Sequence, residues 1–298
     1  MPTVETAITT TPITQVLLFF ELGLMLLGVT ILLRRIAGAP KRFLGLAPAG
    51  LAHSPYRPSE LFLATAFAFG GAVILQVVAS QIADRLFPKP EVLVPGLSLH
   101  DVVLGAGFQI GLLAGLAYVW FMHLRPERRV AEPGELLPPA VRVVPLIIAL
   151  REGGSAFVTA LPLVALTGFA WKYFLDLFGI ESSPQDLVTL FSDSRDHVAL
   201  GLIVLLAVFV APIAEELVFR IGLFRWLRTR TLRSIALFVP ALTFAALHGN
   251  VAVFLPLVVL AICLALSYER VGHPLVPIIG HALFNLNTLL LLFAGVET

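Results

Sequence analysis

The sequence predicts an all-α protein, a polytopic bundle of about eight transmembrane helices. Three observations carry that reading. Hydrophobic residues make up 58% of the 298 residues and charged residues only 13%, with a mean hydropathy of +0.94; a soluble globular domain carries about 25% charged residues. The apolar residues fall into eight runs, each at or near the ~17–25 residues that a crossing helix needs. The charged residues gather between those runs. Backbone groups in lipid must be satisfied within their own segment, so each run is read as a helix.

In order, the runs cover residues 13–33, 61–83, 101–123, 155–178, 198–217, 234–248, 251–268 and 275–294. The first is not expected to be a cleavable signal, because Met1–Thr14 holds no Lys or Arg and a signal peptide needs a basic leading region. Arg34, Arg35, Lys41 and Arg42 follow it instead, which places its C-terminal end in the cytoplasm by the positive-inside rule. Alternation through eight spans then puts 16 of the 20 basic residues in inner connections, among them Arg220, Arg225, Arg228, Arg230 and Arg233. Arg85, Lys89 and Arg195 fall outside, with Lys172 near the outer end of the fourth span. The expected orientation is N-out, C-out. Ser98 and Asp101 form a capping-box pattern at the start of the third span. The charged, proline-rich stretch Arg125–Pro139 reads as a cytoplasmic linker, with an interfacial helix at Ala140–Leu150. The acidic stretch Gly179–Asp196 reads as a cover on the outer membrane surface.

Composition also excludes some functions. The basic clusters read as topology signals, not as a nucleic-acid surface. The one cysteine, Cys263, excludes an intramolecular disulfide, and its apolar surroundings read as those of an inert thiol.

The polar residues of the last third carry the chemistry. Glu215 and Glu216 interrupt an apolar run from Leu205 to Arg220, where a single acid at a helix centre costs roughly 2.5–3.5 kcal/mol on insertion scales. The two are about 100° apart on a helix. Arg220 is four residues after Glu216, the favourable acid-before-base register. Glu216 is therefore the partner of Arg220, and Glu215 is left free. A desolvated, unpaired carboxylate suits a general base. Pro212, three residues earlier, is expected to kink the helix or free a carbonyl. His248 closes a sixth segment that is short for a crossing. His281 and Asn285 share one helix face at i, i+4, where both offer donors suited to an oxyanion. Taken singly, each feature also fits a plain structural role: glutamates bridged to Arg220 and Arg225 at the interface, a solvated helix-end histidine, or hydrogen bonds between helices. The intramembrane Glu21 and Gln109 are read as such inter-helix ties.

Taken together, Glu-Glu-Leu-Val-Phe-Arg at 215–220, Phe-Ala-Ala-Leu-His at 244–248 and His-Ala-Leu-Phe-Asn at 281–285 resemble the E-E-x-x-x-R, F-x-x-x-H and H-x-x-x-N motifs of one family. That family is the CPBP or Abi group of intramembrane glutamate proteases, which includes the CAAX prenyl endopeptidases and bacteriocin-processing or immunity proteins. The resemblance covers about the last third of the chain. It implies an intramembrane endopeptidase acting near the cytoplasmic face on a peptide or protein, including lipid-modified ones. Glu215 would activate water, and His248 would hold that water and assist proton transfer. His281 and Asn285 would stabilise the oxyanion, and Glu216 and Arg220 would organise the site. No cofactor is implied. Zinc bound by the glutamates and histidines is the alternative, although the H-E-x-x-H pattern is missing. A proton-coupled transporter and a non-catalytic scaffold or immunity protein are the rival classes. The expected division is a four-span region of open role at 1–190 and a protease domain at 191–298. Compact loops and motif style point to a prokaryotic plasma membrane. His248 poses a tension, because alternation puts it at the outer end of its helix and Glu215 near the inner end of its own.

Overall fold

Apolar runs of this length fold as helices, and helices are what the computed structural model contains. It describes residues 12–38, 51, 54, 56–87, 96–124, 144–180 and 196–294. All regular structure among them is helical: α1 (Pro12–Gly38), α2 (Pro58–Leu86), α3 (Leu99–Val119, with a π-helical end at Trp120–Leu124), α4 (Leu146–Leu177), α5 (His197–Arg228), α6 (Arg233–Leu247), α7 (Phe254–Val271) and α8 (Leu275–Phe293). Seven of these are long and apolar enough to cross a membrane, and α6, with 15 residues, is shorter. The Ser98–Asp101 capping box opens α3: the Ser98 hydroxyl accepts from the Asp101 backbone N–H, and the Asp101 carboxylate accepts from the Ser98 N–H at 3.2 Å.

Two elements depart from the sequence reading. The fourth helix begins at Leu146, so Leu146–Leu150 continue into α4 instead of lying apart as the end of an interfacial helix. The fifth helix runs on to Arg228, past the expected end at 217. Its continuation is apolar apart from arginines, and the first of these, Arg220, is neutralised from within the helix by Glu216. Glu215 therefore lies near the middle of a 32-residue helix, not at its inner end. Arg220, Arg225 and Arg228 sit on that helix, not in a connection. The linker Arg125–Pro139 lies outside the described residues, as does most of Gly179–Asp196.

Lipid offers no hydrophobic drive for helices to associate, so close packing of small residues does that work. The buried Ala68, Ala72 and Ala79 of α2 face Gly115, Gly111 and Gly107 of α3. The backbones approach so closely that a Cβ on Gly115 would strike the Phe67 carbonyl. Helix α4 packs against α1, α7 and α8. It meets α1 where Gly28 lies on the Val158 carbonyl, and α8 where Gly153 lies against Ile279. It meets α7 where Ala160 packs with Leu260 and Leu264. Large side chains such as Phe19, Phe62, Phe169 and Phe209 point outward, as they should where the surroundings are acyl chains.

Ion pairs tie the helix ends on one side of the bundle. Buried Glu269 of α7 takes Arg228 from the end of α5 and Arg233 from the start of α6. Glu152 of α4 takes Arg270 of α7 at 2.7 Å and lies 3.7 Å from Arg35 of α1. At the opposite side, Trp171 donates to the Val251 carbonyl at 2.7 Å and Thr14 to the Ala294 carbonyl at 2.9 Å.

Candidate active site

Pro212 determines the local shape of α5. A π-helical turn covers Leu206–Val210, and the Ala211 N–H reaches back five residues to the Leu206 carbonyl. The next carbonyl in that pattern, Ala207, would need the N–H of residue 212, which proline lacks. The Ala207 carbonyl is therefore orphaned by its own helix. Asn285 of α8 fills the gap, donating its side-chain N–H to Ala207 O at 2.8 Å. Such π-helical turns recur at functional sites, and a second one, Leu217–Phe224, follows the glutamates. Between the two turns, the short α-helical stretch Ala211–Glu216 carries Glu215 and Glu216.

Glu216 is fully buried, and one of its oxygens meets two partners. Arg220 Nη1 lies 2.9 Å from Glu216 Oε1, and His281 Nδ1 lies 2.8 Å from the same oxygen. The arginine contact is close but poorly aligned, which leaves both terminal guanidinium nitrogens without a hydrogen-bond acceptor among the described residues. Glu216 Oε2 is also buried without a partner among the described residues. The guanidinium carbon of Arg220 sits 4.6 Å from the centre of the Phe244 ring, an attraction that strengthens on desolvation.

Glu215 faces elsewhere and is less buried, with its side chain 15% exposed. Its Oε2 lies 3.8 Å from His281 Nε2, and its Oε1 accepts an N–H from Gln109 of α3 at 3.1 Å. His281 thus stands between the two carboxylates, Nδ1 toward Glu216 and Nε2 toward Glu215.

His248 is linked to this cluster through Phe244. Its ring lies 4.7 Å from the Phe244 ring, which in turn lies 5.9 Å from the His281 ring. His248 Nδ1 is 2.7 Å from the Phe244 carbonyl. A carbonyl only accepts, so Nδ1 carries the hydrogen and Nε2 of the neutral ring presents its lone pair. Phe244 rests on Arg220 and His281, and His248 lies one turn further along α6, at its exposed end.

The structure thus brings Glu215, Glu216, Arg220 and His281 into direct contact, and places His248 one ring away. Asn285 bonds to the α5 backbone and not to the other motif side chains. Sequence reasoning missed the Gln109 contact with Glu215 and the central place of Phe244. Gln109 was read as an inter-helix tie, and it is one. Glu21 is another, accepting from Asn287 at 3.2 Å. Among the described residues, no three His, Cys, Asp or Glu side chains gather in a way that could hold a metal ion.

These features define a multi-pass helical membrane protein with an acid–histidine–arginine cluster inside the bundle. Residues 197–287 match the family model described as Rce1-like, Type II CAAX prenyl endopeptidase Rce1-like. This is a protease family, and the matched stretch holds all seven motif residues. The match bears out the family resemblance carried by the motifs. No curated protein and no solved structure matches the chain significantly.

Proposed function

We propose that this chain is an intramembrane glutamate endopeptidase that hydrolyses a peptide bond near the cytoplasmic face of the membrane. The observation that carries this reading is the convergence of Glu215 and Glu216 on α5 with His281 on α8, within a stretch that matches a protease family. The 3.8 Å between Glu215 Oε2 and His281 Nε2 is too long for a direct hydrogen bond and suits a bridging water.

In this mechanism Glu215 takes a proton from that water as its oxygen attacks the carbonyl carbon. His248, with its Nε2 lone pair available, accepts a hydrogen bond from the water's second hydrogen and so orients the water for the transfer; Glu215 then hands the first proton to the nitrogen of the leaving amine as the C–N bond breaks. The second side-chain N–H of Asn285 donates to the oxyanion. His281 joins it in the doubly protonated form, with Glu216 and Glu215 as counter-charges on its two nitrogens. Glu215, Glu216 and Arg220 sum to −1, so a proton on His281 brings the cluster to neutrality while leaving Glu215 free to act as the base. Neutrality matters because an uncompensated charge in a low-dielectric site is expensive.

The substrate class this reading supports is a peptide or protein with a membrane-proximal or lipid-modified end, admitted from the cytoplasmic side. Residues 191–298 would then hold the motif residues, and the first four spans would frame them. The test is incubation of the full chain in liposomes with a diverse peptide library that includes farnesylated members, read by mass spectrometry. Internal cuts by the wild type support the reading. Proton-coupled flux without any cut would replace it with transport.

A further inference from the structure

We propose that Gln109, on α3 and outside the family-matched segment, is a positioning residue for Glu215, holding one carboxylate oxygen so that the other is aimed at His281 and the reacting water. This rests on the reading of Glu215 as the base. Gln109 Nε2 donates to Glu215 Oε1 at 3.1 Å, while Glu215 Oε2 is the atom that faces His281. The assignment of the amide follows from chemistry, because an ionised carboxylate only accepts and must therefore meet the NH₂ end. The Gln109 carbonyl oxygen is then turned away from Glu215, and it is buried without a partner among the described residues. Burying an unpartnered amide oxygen is costly, and so is placing a glutamine on a membrane span. Both costs are explained if that oxygen accepts a hydrogen from the reacting water or from a substrate amide.

The mounting is rigid, as a positioning role requires. Gln109 lies between Gly107 and Gly111, two of the three glycines that lock α3 onto α2. One turn further along, Leu112 shares a core with Ala214 and Val218 of α5, on either side of the glutamate pair. A donor on such a frame fixes the rotamer of Glu215 more tightly than α5 alone can.

The test compares wild type, Gln109→Met, Glu215→Gln and the outward-facing control Ile110→Ala, each as full chain in liposomes. Cleavage of a fluorogenic farnesylated peptide ending in a C-a-a-X sequence is measured beside its unmodified twin. The Glu215 carboxylate band is identified by infrared difference against Glu215→Gln. Methionine keeps the length of glutamine and removes the donor. The expected result is a fall in kcat of roughly 10- to 100-fold with KM unchanged, a displaced Glu215 band in Gln109→Met, and wild-type behaviour in Ile110→Ala. An unmoved band overturns the proposal whether or not the peptide is cut. So does a moved band with unchanged kcat, or a change in KM alone, which would mark a structural tie. Glu215→Gln cleaving as fast as wild type would instead sink the assignment of the base. Loss of cleavage in Glu215→Gln together with full cleavage in Gln109→Met sinks the role of Gln109 alone.

Discussion

Glu216 and Arg220 are 0% and 2% exposed in their side chains and stand 2.9 Å apart, so their removal one at a time and together should give an unusual order of stabilities. Arg220→Met leaves a buried carboxylate whose remaining partner is His281. Glu216→Gln leaves a buried guanidinium whose remaining neighbours are the Phe244 face and the Glu215 charge. Breaking a buried pair from one side costs roughly 3–5 kcal/mol. The double variant has no uncompensated charge. It loses the cation–π contact, about 0.5–2 kcal/mol, and keeps an acceptor for His281 in the glutamine carbonyl. The double variant should therefore be more stable than either single one, by roughly 2 kcal/mol or more. Unfolding in mixed micelles, followed by circular dichroism, measures all four proteins. A double variant that loses the sum of the two single losses, roughly 6–10 kcal/mol on simple additivity, would show that the two groups are not a coupled pair.

Other expectations follow from the same contacts. Asn285→Ala should destabilise the fold by about 1–3 kcal/mol, because it orphans the Ala207 carbonyl; restoring a backbone donor with Pro212→Ala should recover part of that loss in the same melt. Gly115→Val should prevent stable folding, since its side chain would strike the Phe67 carbonyl, whereas Gly70→Ala, which meets nothing within 4 Å, should fold normally by size-exclusion chromatography. Glu269→Gln should lower stability by roughly 3–5 kcal/mol, as both Arg228 and Arg233 lose their buried partner. Cleavage should persist in the presence of a chelator; loss that zinc restores would favour the zinc mechanism.

The sequence shows the candidate site residues more readily than it shows their partners. Glu215, Glu216, His248, His281 and Asn285 stand out because polar groups are rare in apolar helices, and i, i+4 spacing is a local property. The Glu216–Arg220 contact is readable for the same reason. Gln109 and Glu215 are 106 positions apart, and no local period joins them. The Ala207–Asn285 bond depends on a π-helical turn that no simple hydrophobic pattern announces. The sequence ends α5 too early because Arg220 reads as a charge that stops a span, whereas in the fold Glu216 cancels it. The basic residues read as topology signals proved in part to be ion-pair partners, with Arg228, Arg233 and Arg270 closing on Glu269 and Glu152. A count of charges by loop does not register such pairs.

The most direct test of the central claim compares peptide cleavage by the wild type and by Glu215→Gln, both purified in lipid and both shown to be folded. A glutamine at this position keeps the shape and removes the base. The account predicts cuts by the wild type and none by the variant. Equal cuts by both would contradict it and move the base to another residue.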